Sequence, residues 1–421
     1  MSDCPNFRHP LITRPDVLKA RIGSAFSKIP KWFTCEVIVP FVITRLALLL
    51  VGWLGFRLLP LPVAFPSAWE IGPDGNRHAV VDHISPTSHP WVNMFSRWDA
   101  AWYLEIARDG YRYEPGVPSN AAFFPLYPLL IRAIHALLLL SEKDYWWLVI
   151  AIAISNVALL IALTYFRALL AMDFDEDLIS RTITYLLIFP TTFFFSGVYS
   201  ESSFLALTVA AYYYARINRW LLACILAALA TLTRSQGMIL ALPLLIEYLH
   251  ERNFRLQKIG WNITAFALVP TALLAFALFL KLKFGSWTVM FDVQSIWERH
   301  LMWPWHPLAW FLRHAPPLSP EHHDRLDFGF LLILLGAAIA GLRRLRISYS
   351  AYIWTAVVFF SCWGMLGSIP RFDLVIFPLF IVLAFIGTRN RAFHLGYVVA
   401  SSMLAALFMV MVFPVELGCL A

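Results

Sequence analysis

Apolar runs separated by short polar turns make up most of this 421-residue chain. A helix needs about 20 predominantly apolar residues to cross a bilayer. By that measure the candidate spans are about 36–59, 145–171, 182–198, 202–217, 220–236, 237–250, 259–284, 328–342, 350–367, 372–388 and 393–413. Several fall short of that length, which tilt or partial insertion accommodates. A further apolar stretch, about 121–140, contains Pro125, Pro128, Arg132 and His135. That profile does not suit a lipid-facing span, so a re-entrant or half-spanning element buried against protein is expected. Two polar excursions, 61–120 and 285–327, are long enough to fold, and every other connection is short. The pattern predicts an all-α fold: a polytopic transmembrane helical bundle of about 10–12 membrane segments, one domain over 36–421 behind a basic leader at 1–35. The leader has no short apolar core of the kind a cleaved signal peptide carries, so the first hydrophobic helix is expected to act as an uncleaved anchor.

Lys and Arg concentrate in cytoplasmic loops of membrane proteins. Here they gather at Arg8, Arg14, Lys19, Arg21, Lys28 and Lys31, and at Arg216/Arg219, Arg252/Arg255/Lys258, Arg343/Arg344/Arg346 and Arg389/Arg391. With those inside, the turns Tyr199–Glu201, Arg234–Gly237 and Pro370–Asp373 face outward together with both long loops. The acidic turn 172–181 has two solutions. It lies inside if 121–140 does not cross, and outside if a later short segment fails to cross.

Composition supports this reading. Hydrophobic residues are 60% and charged residues 14%, against about 45–50% and about 25% in soluble domains. The net charge of +7 resides mostly in short loops, as the positive-inside pattern requires, with attraction to anionic membrane lipids as a second effect. It forms no basic stripe, so nucleic acid is not an expected partner. Cys4, Cys35, Cys224, Cys362 and Cys419 show neither CxxC nor metal-ligand spacing and read as apolar fillers or free thiols.

Chemistry concentrates in Phe95–Tyr111. Phe95, Trp98, Trp102 and Ile106 recur at helical spacing and would form an aromatic face able to lie at the membrane surface. Asp99, with Arg97 and Glu105 nearby, is bracketed by Trp98 and Trp102. An N-cap is the ordinary explanation of such an Asp; a desolvated carboxylate acting as a base is the functional one. Glu201 begins an apolar run, where a helix-dipole partner is the plain reading. Arg234 ends a strongly apolar helix and precedes Ser235, Gln236 and Gly237; it either snorkels to the interface or faces a polar cavity. Arg371 either pairs locally with Asp373 or meets an anionic headgroup through its fork. In the second loop, His322 and His323 lie beside Asp324 and Asp327 without regular ligand spacing, so an aromatic-packed lid is expected there and no metal site.

The blocks Arg97-Trp-Asp-Ala, Trp102-Tyr-Leu, Ile106-Ala, Gly110-Tyr, Phe123-Phe-Pro-Leu-Tyr-Pro128, Phe189-Pro190, Tyr199-Ser-Glu201, Thr233-Arg-Ser-Gln-Gly237, Arg371-Phe and Phe377-Pro378 resemble, in order and spacing, the PIG-V family of GPI mannosyltransferase 2 type, bacterial members included. The resemblance implies a GT-C fold whose first outer loop, 61–120, carries the catalytic acid residue, with 285–327 as a lid. It implies a polyprenyl- or dolichyl-phosphate mannose donor and an inverting single displacement. Carried over, Asp99 is the catalytic base, and Arg97, Trp98, Trp102, Glu201, Arg234, Gln236 and Arg371 are the substrate-binding set. No second acid makes an Asp-x-Asp with Asp99, so no metal cofactor is expected.

The expected function is therefore transfer of a sugar, mannose by resemblance, from a lipid-phosphate donor to a glycolipid or glycan acceptor. Arg234 or Arg371 would hold the leaving phosphate. The expected location is the cell (inner) membrane with the site outward, or the endoplasmic reticulum membrane in a eukaryote. A multi-pass transporter or flippase is the rival reading, but no inverted repeat is visible and the polar residues gather at one face, away from mid-membrane. A non-catalytic scaffold would have little use for Asp99, Glu201 and Arg234 on one face.

Overall fold

A computed structural model describes residues 30–58, 66–71, 77–81, 89–296, 299–314, 324–363 and 366–412. The leader lies almost wholly outside the described residues, as do His322 and His323. A π-helical turn, Phe33–Ile38, opens into α1 (Val39–Leu58). The first polar excursion holds a two-stranded antiparallel ribbon, β1 (Pro66–Ile71) and β2 (Arg77–Val81), then α2 (Pro90–Asn93) and α3 (Ala100–Arg108). There follow α4 (Leu126–Leu137), α5 (Asp144–Leu170), α6 (Glu176–Leu187), α7 (Glu201–Arg216), α8 (Trp220–Thr231), α9 (Ala241–His250) and α10 (Leu268–Phe284). The second excursion contains α11 (Val289–Ile296) and α12 (His306–His314). The chain closes with α13 (Asp324–Gly341), α14 (Ile347–Ser361), α15 (Ile369–Asp373), α16 (Phe377–Arg389) and α17 (Arg391–Val412). The all-α architecture holds, with the ribbon as its one β addition among the described residues.

Among those residues four helices are long and apolar enough to cross a membrane: Phe33–Gly55, Asp144–Leu170, Trp261–Phe284 and Arg391–Val410. The chain is a membrane protein, but several expected spans are shorter than the apolar runs that suggested them. The run at 182–198 holds only the end of α6, because Pro190 removes a donor and the chain continues as a 3-10 turn, Thr192–Phe195. The run at 237–250 likewise starts in a 3-10 turn, Ser235–Leu240. The 121–140 stretch yields the 12-residue α4, about 18 Å long at 1.5 Å per residue and too short for a bilayer core about 30 Å thick.

Helix α5 is apolar on nearly every side, and its most extensive packing is along α7. Buried Ala206, Ala210, Ala211 and Ala215 on α7, with Ala223, Ala227 and Ala230 on α8, let these neighbouring helices approach closely. The aromatic face expected at the membrane surface lies inside the protein: Phe95, Trp102 and Ile106 are all buried. Trp102 stacks on Phe123 with ring centroids 6.1 Å apart, an internal partner that removes the need for lipid.

One end of the bundle is tied by charge. Fully buried Glu247 accepts from Arg346 Nε at 2.7 and 2.9 Å and from Ser348 Oγ at 2.5 Å. Arg216 lies 3.7 Å from Glu247 and donates to Asp173 Oδ1 at 2.8 Å. The acidic turn 172–181 therefore shares an end with the basic loops around Arg216 and Arg346, the first of the two solutions above. Glu201, at the other terminus of 16-residue α7, lies about 22 Å away along the helix.

This geometry sets an accessibility test. In a background without native cysteines, single cysteines at exposed Glu114 and Thr288 should react with an impermeant thiol reagent from one face. Those at exposed Glu176 and Asn218 should react only from the other. Labelling of one residue from each pair on the same side would contradict the two-ended bundle.

Candidate active site

Asp99 is delivered by a strained turn. Trp98 adopts φ 55°, a left-handed conformation that costs a bulky residue on the order of 1–3 kcal/mol and marks a position held by its surroundings. Two bonds from the turn before α7 hold it: Val198 N donates to Phe95 O at 2.9 Å, and Tyr199 Oη to Arg97 O at 2.5 Å. Asp99 sits at the N-cap of α3, yet its side chain makes no capping bond. Its Oδ2 accepts from Arg371 Nη1 at 2.5 Å, so the capping explanation of Asp99 does not apply.

Glu201 is the first residue of α7 and fully buried. The preceding turn is closed by Ser202 Oγ donating to Phe195 O at 2.7 Å and by a 2.9 Å hydrogen bond between Tyr103 Oη and Ser200 Oγ. Burial pushes the Tyr103 phenol up to about 12, which keeps it protonated and unfit as a base at neutral pH. Glu201 Oε1 receives both Arg371 Nε and Arg234 Nη1. An acid here also faces the positive end of its own helix.

Arg234 stands in extended conformation between α8 and the 3-10 turn. Its Nε donates to Gln236 Oε1 at 3.1 Å, so Gln236 positions the guanidinium. The turn needs glycine at 237: a Cβ there would lie 2.2 Å from Thr231 N and 2.5 Å from Ala230 C, inside backbone that cannot give way. Arg371 is carried on five-residue α15, which follows Ser368 at φ 64°. The two residues that meet across the site, Asp99 and Arg371, thus each follow a left-handed turn.

Aromatic rings wall the charges. Arg371 lies 4.6 Å from the Tyr199 ring centroid and 5.2 Å from that of Phe194, and Arg234 lies 5.4 Å from Phe372, within cation–π range. Burial works against the Arg371 charge, but Glu201 and Asp99 outweigh it and raise the guanidinium well above its ordinary value. Exposure separates the roles. Glu201, Arg371 and Arg234 side chains are 0%, 3% and 6% exposed, while Asp99 keeps 27%. Asp99 Oδ1 makes no hydrogen bond to a described residue. The arrangement can hold one carboxylate oriented by a guanidinium and open on one oxygen.

The structure thus unites Asp99, Glu201, Arg234, Gln236 and Arg371 from the expected set. Arg97 contributes its carbonyl to Tyr199. Trp98 packs against the core, and Trp102 belongs to a neighbouring group with Phe123 and Arg112, which pairs with Glu105. Arg371 pairs with Asp99 and Glu201 and makes no ion pair with Asp373, whose buried carboxylate oxygens have no hydrogen-bond partner among the described residues. Both guanidiniums expected to grip a phosphate already carry carboxylates. Tyr199 and Phe372 were not singled out, although each sits within a block that carried the resemblance. Among the described residues no group of three or more His, Cys, Asp or Glu could hold a metal ion.

Residues 36–287 match the family described as Mannosyltransferase (PIG-V), and the chain belongs to that family. It is 32% identical over 178 residues to a GPI alpha-1,6-mannosyltransferase 2 of Rattus norvegicus, and 31% over 180 residues to that of Mus musculus. Each match covers 40% of this chain and 33% of the relative, so the chain spans about a third of the length of these curated relatives. Among solved structures it is similar to the Archaeoglobus fulgidus oligosaccharyltransferase in the apo form, at TM-score 0.41 and 13% identity over 93% of this chain and 56% of that one. That likeness is too distant to bear on function.

The ion cluster has a stability signature. Glu201→Gln leaves buried Arg234 without a carboxylate and Arg371 with Asp99 alone, and should destabilise the fold by about 3–5 kcal/mol. Asp99→Asn, at the part-exposed edge, should cost far less. Thermal unfolding of both detergent-purified variants checks this, and equal melting temperatures would contradict the anchoring role of Glu201.

Proposed function

We propose that this chain is a GT-C glycosyltransferase of the membrane that moves mannose from a polyprenyl- or dolichyl-phosphate donor to a glycolipid or glycan hydroxyl. The observation that carries the reading is Asp99: paired with Arg371 through Oδ2, part-exposed, and without a hydrogen-bond partner at Oδ1 among the described residues. Family membership and the named activity of the mannosyltransferase relatives support the reaction class.

In this mechanism the acceptor hydroxyl oxygen attacks the anomeric carbon while Asp99 Oδ1 takes its proton. The bond from that carbon to the phosphate oxygen breaks, and the lipid phosphate leaves without needing a proton. One displacement inverts the anomeric centre. Arg371 and Arg234 are positioning residues: Arg371 fixes the rotamer of Asp99, and Arg234 fixes Glu201, which in turn fixes Arg371. Preorganisation of this kind supplies rate because no charge has to reorient as the transition state forms. The positive-inside pattern supports placing the site on the outer or lumenal face.

Asp99→Asn keeps shape and loses the proton acceptor. Transfer from polyprenyl-phosphate mannose by the purified variant should fall about 10²–10⁴-fold, with its melting temperature little changed. Parent-level turnover in Asp99→Asn would show that another group is the base.

A further inference from the structure

We propose that Arg299, in the loop before α12, is the residue that binds the phosphate of the lipid donor. This rests on the reading of a lipid-phosphate donor above. Every other cation of the site is engaged: Arg371 holds Asp99 and Glu201, and Arg234 holds Glu201 and Gln236. The Arg299 guanidinium makes no hydrogen bond or ion pair among the described residues. Among the described residues its one side-chain partner is the Phe372 ring, whose centroid lies 5.9 Å away, and Arg234 lies 5.4 Å from the same ring. Phe372 thus ties Arg299 to the cluster.

The position is built and part-buried. Arg299 N donates to Gln294 O at 3.1 Å, and two residues later the chain bridges to Trp363, with Met302 N donating to Cys362 O at 2.7 Å. A Cβ at Gly367 would lie 3.9 Å from Arg299 Nη2, so the fork rests beside the backbone that leads into α15 and Arg371. Its charged neighbours are Asp99, Arg371, Arg234 and Asp327, and burial lowers its hold on a proton. Asp327 spends Oδ1 on Ile369 N at 2.6 Å.

Three guanidiniums, Arg234, Arg299 and Arg371, thus lie about the carboxylates Asp99, Glu201 and Asp327, and of the three the planar fork of Arg299 makes no ion pair among the described residues. A sugar phosphodiester of a lipid carries one negative charge and presents paired oxygens, the geometry a guanidinium binds through two parallel bonds.

The test uses the purified full-length chain and polyprenyl monophosphate, with uncharged polyprenol as the matched probe, and reads affinity by intrinsic tryptophan fluorescence. The parent should prefer the phosphate. Arg299→Gln, and Arg299→Met, which keeps an apolar stem against Phe372, should bind polyprenyl phosphate about ten- to a hundred-fold more weakly with polyprenol binding unchanged. Melting temperatures without lipid should match the parent, showing intact folds. If the parent prefers the phosphate and either folded variant does so equally, Arg299 is not its ligand and the donor reading survives. If the parent itself shows no preference, the lipid-phosphate reading falls and this assignment with it.

Discussion

A single buried carboxylate, Glu201, sits between two guanidiniums, and the site depends on it. One of its oxygens receives both Arg234 and Arg371. Neither arginine could remain at its depth unpaired, because an isolated buried charge is costly while a matched pair is tolerable. The contact draws together the start of α7, the turn after α8 and the short helix α15, and through Arg371 it reaches Asp99 in the first long loop. Four segments distant in sequence thus acquire one geometry.

Helix α7 carries this constraint through the molecule. Glu201 at its start anchors the site, and Arg216 at its end joins exposed Asp173 and buried Glu247 in a second ionic group. Between them the face toward α5 and α8 is rich in alanine, which fixes the helices at short distance with little side-chain freedom. A strut pinned by charge at both termini resists sliding and rotation. That rigidity is what the proposed base would need to meet an acceptor hydroxyl at bonding distance.

Much of the site was legible in the sequence because charge is conspicuous where apolar residues surround it. Glu201, Arg234, Gln236 and Arg371 stand at the margins of apolar runs and Asp99 between two tryptophans of the first long loop, and the basic loops placed them at a common end. Their partners were not legible. Arg371 bonds Asp99 across 272 positions, whereas proximity in sequence suggests Asp373. Span lengths were overestimated at 182–198 and 237–250 because hydropathy does not register 3-10 turns, which form where prolines or close backbone contacts stop a helix. Trp102 was read as a membrane-facing ring because its partner Phe123 comes from a separate segment. Arg299 escaped notice because it lies in a polar loop, where an arginine is unexceptional until the structure sets it beside Phe372.

The central claim is that Asp99 Oδ1 faces the reacting carbon of a donor held at this end of the bundle. A structure of the lipid-embedded protein with a non-transferable phosphonate analogue of polyprenyl-phosphate mannose tests it directly. The account predicts the sugar beside the open oxygen of Asp99, with the phosphonate away from the base on the Arg299 side of Phe372. A sugar bound at the opposite end near Glu247, or one out of reach of Asp99, would contradict it.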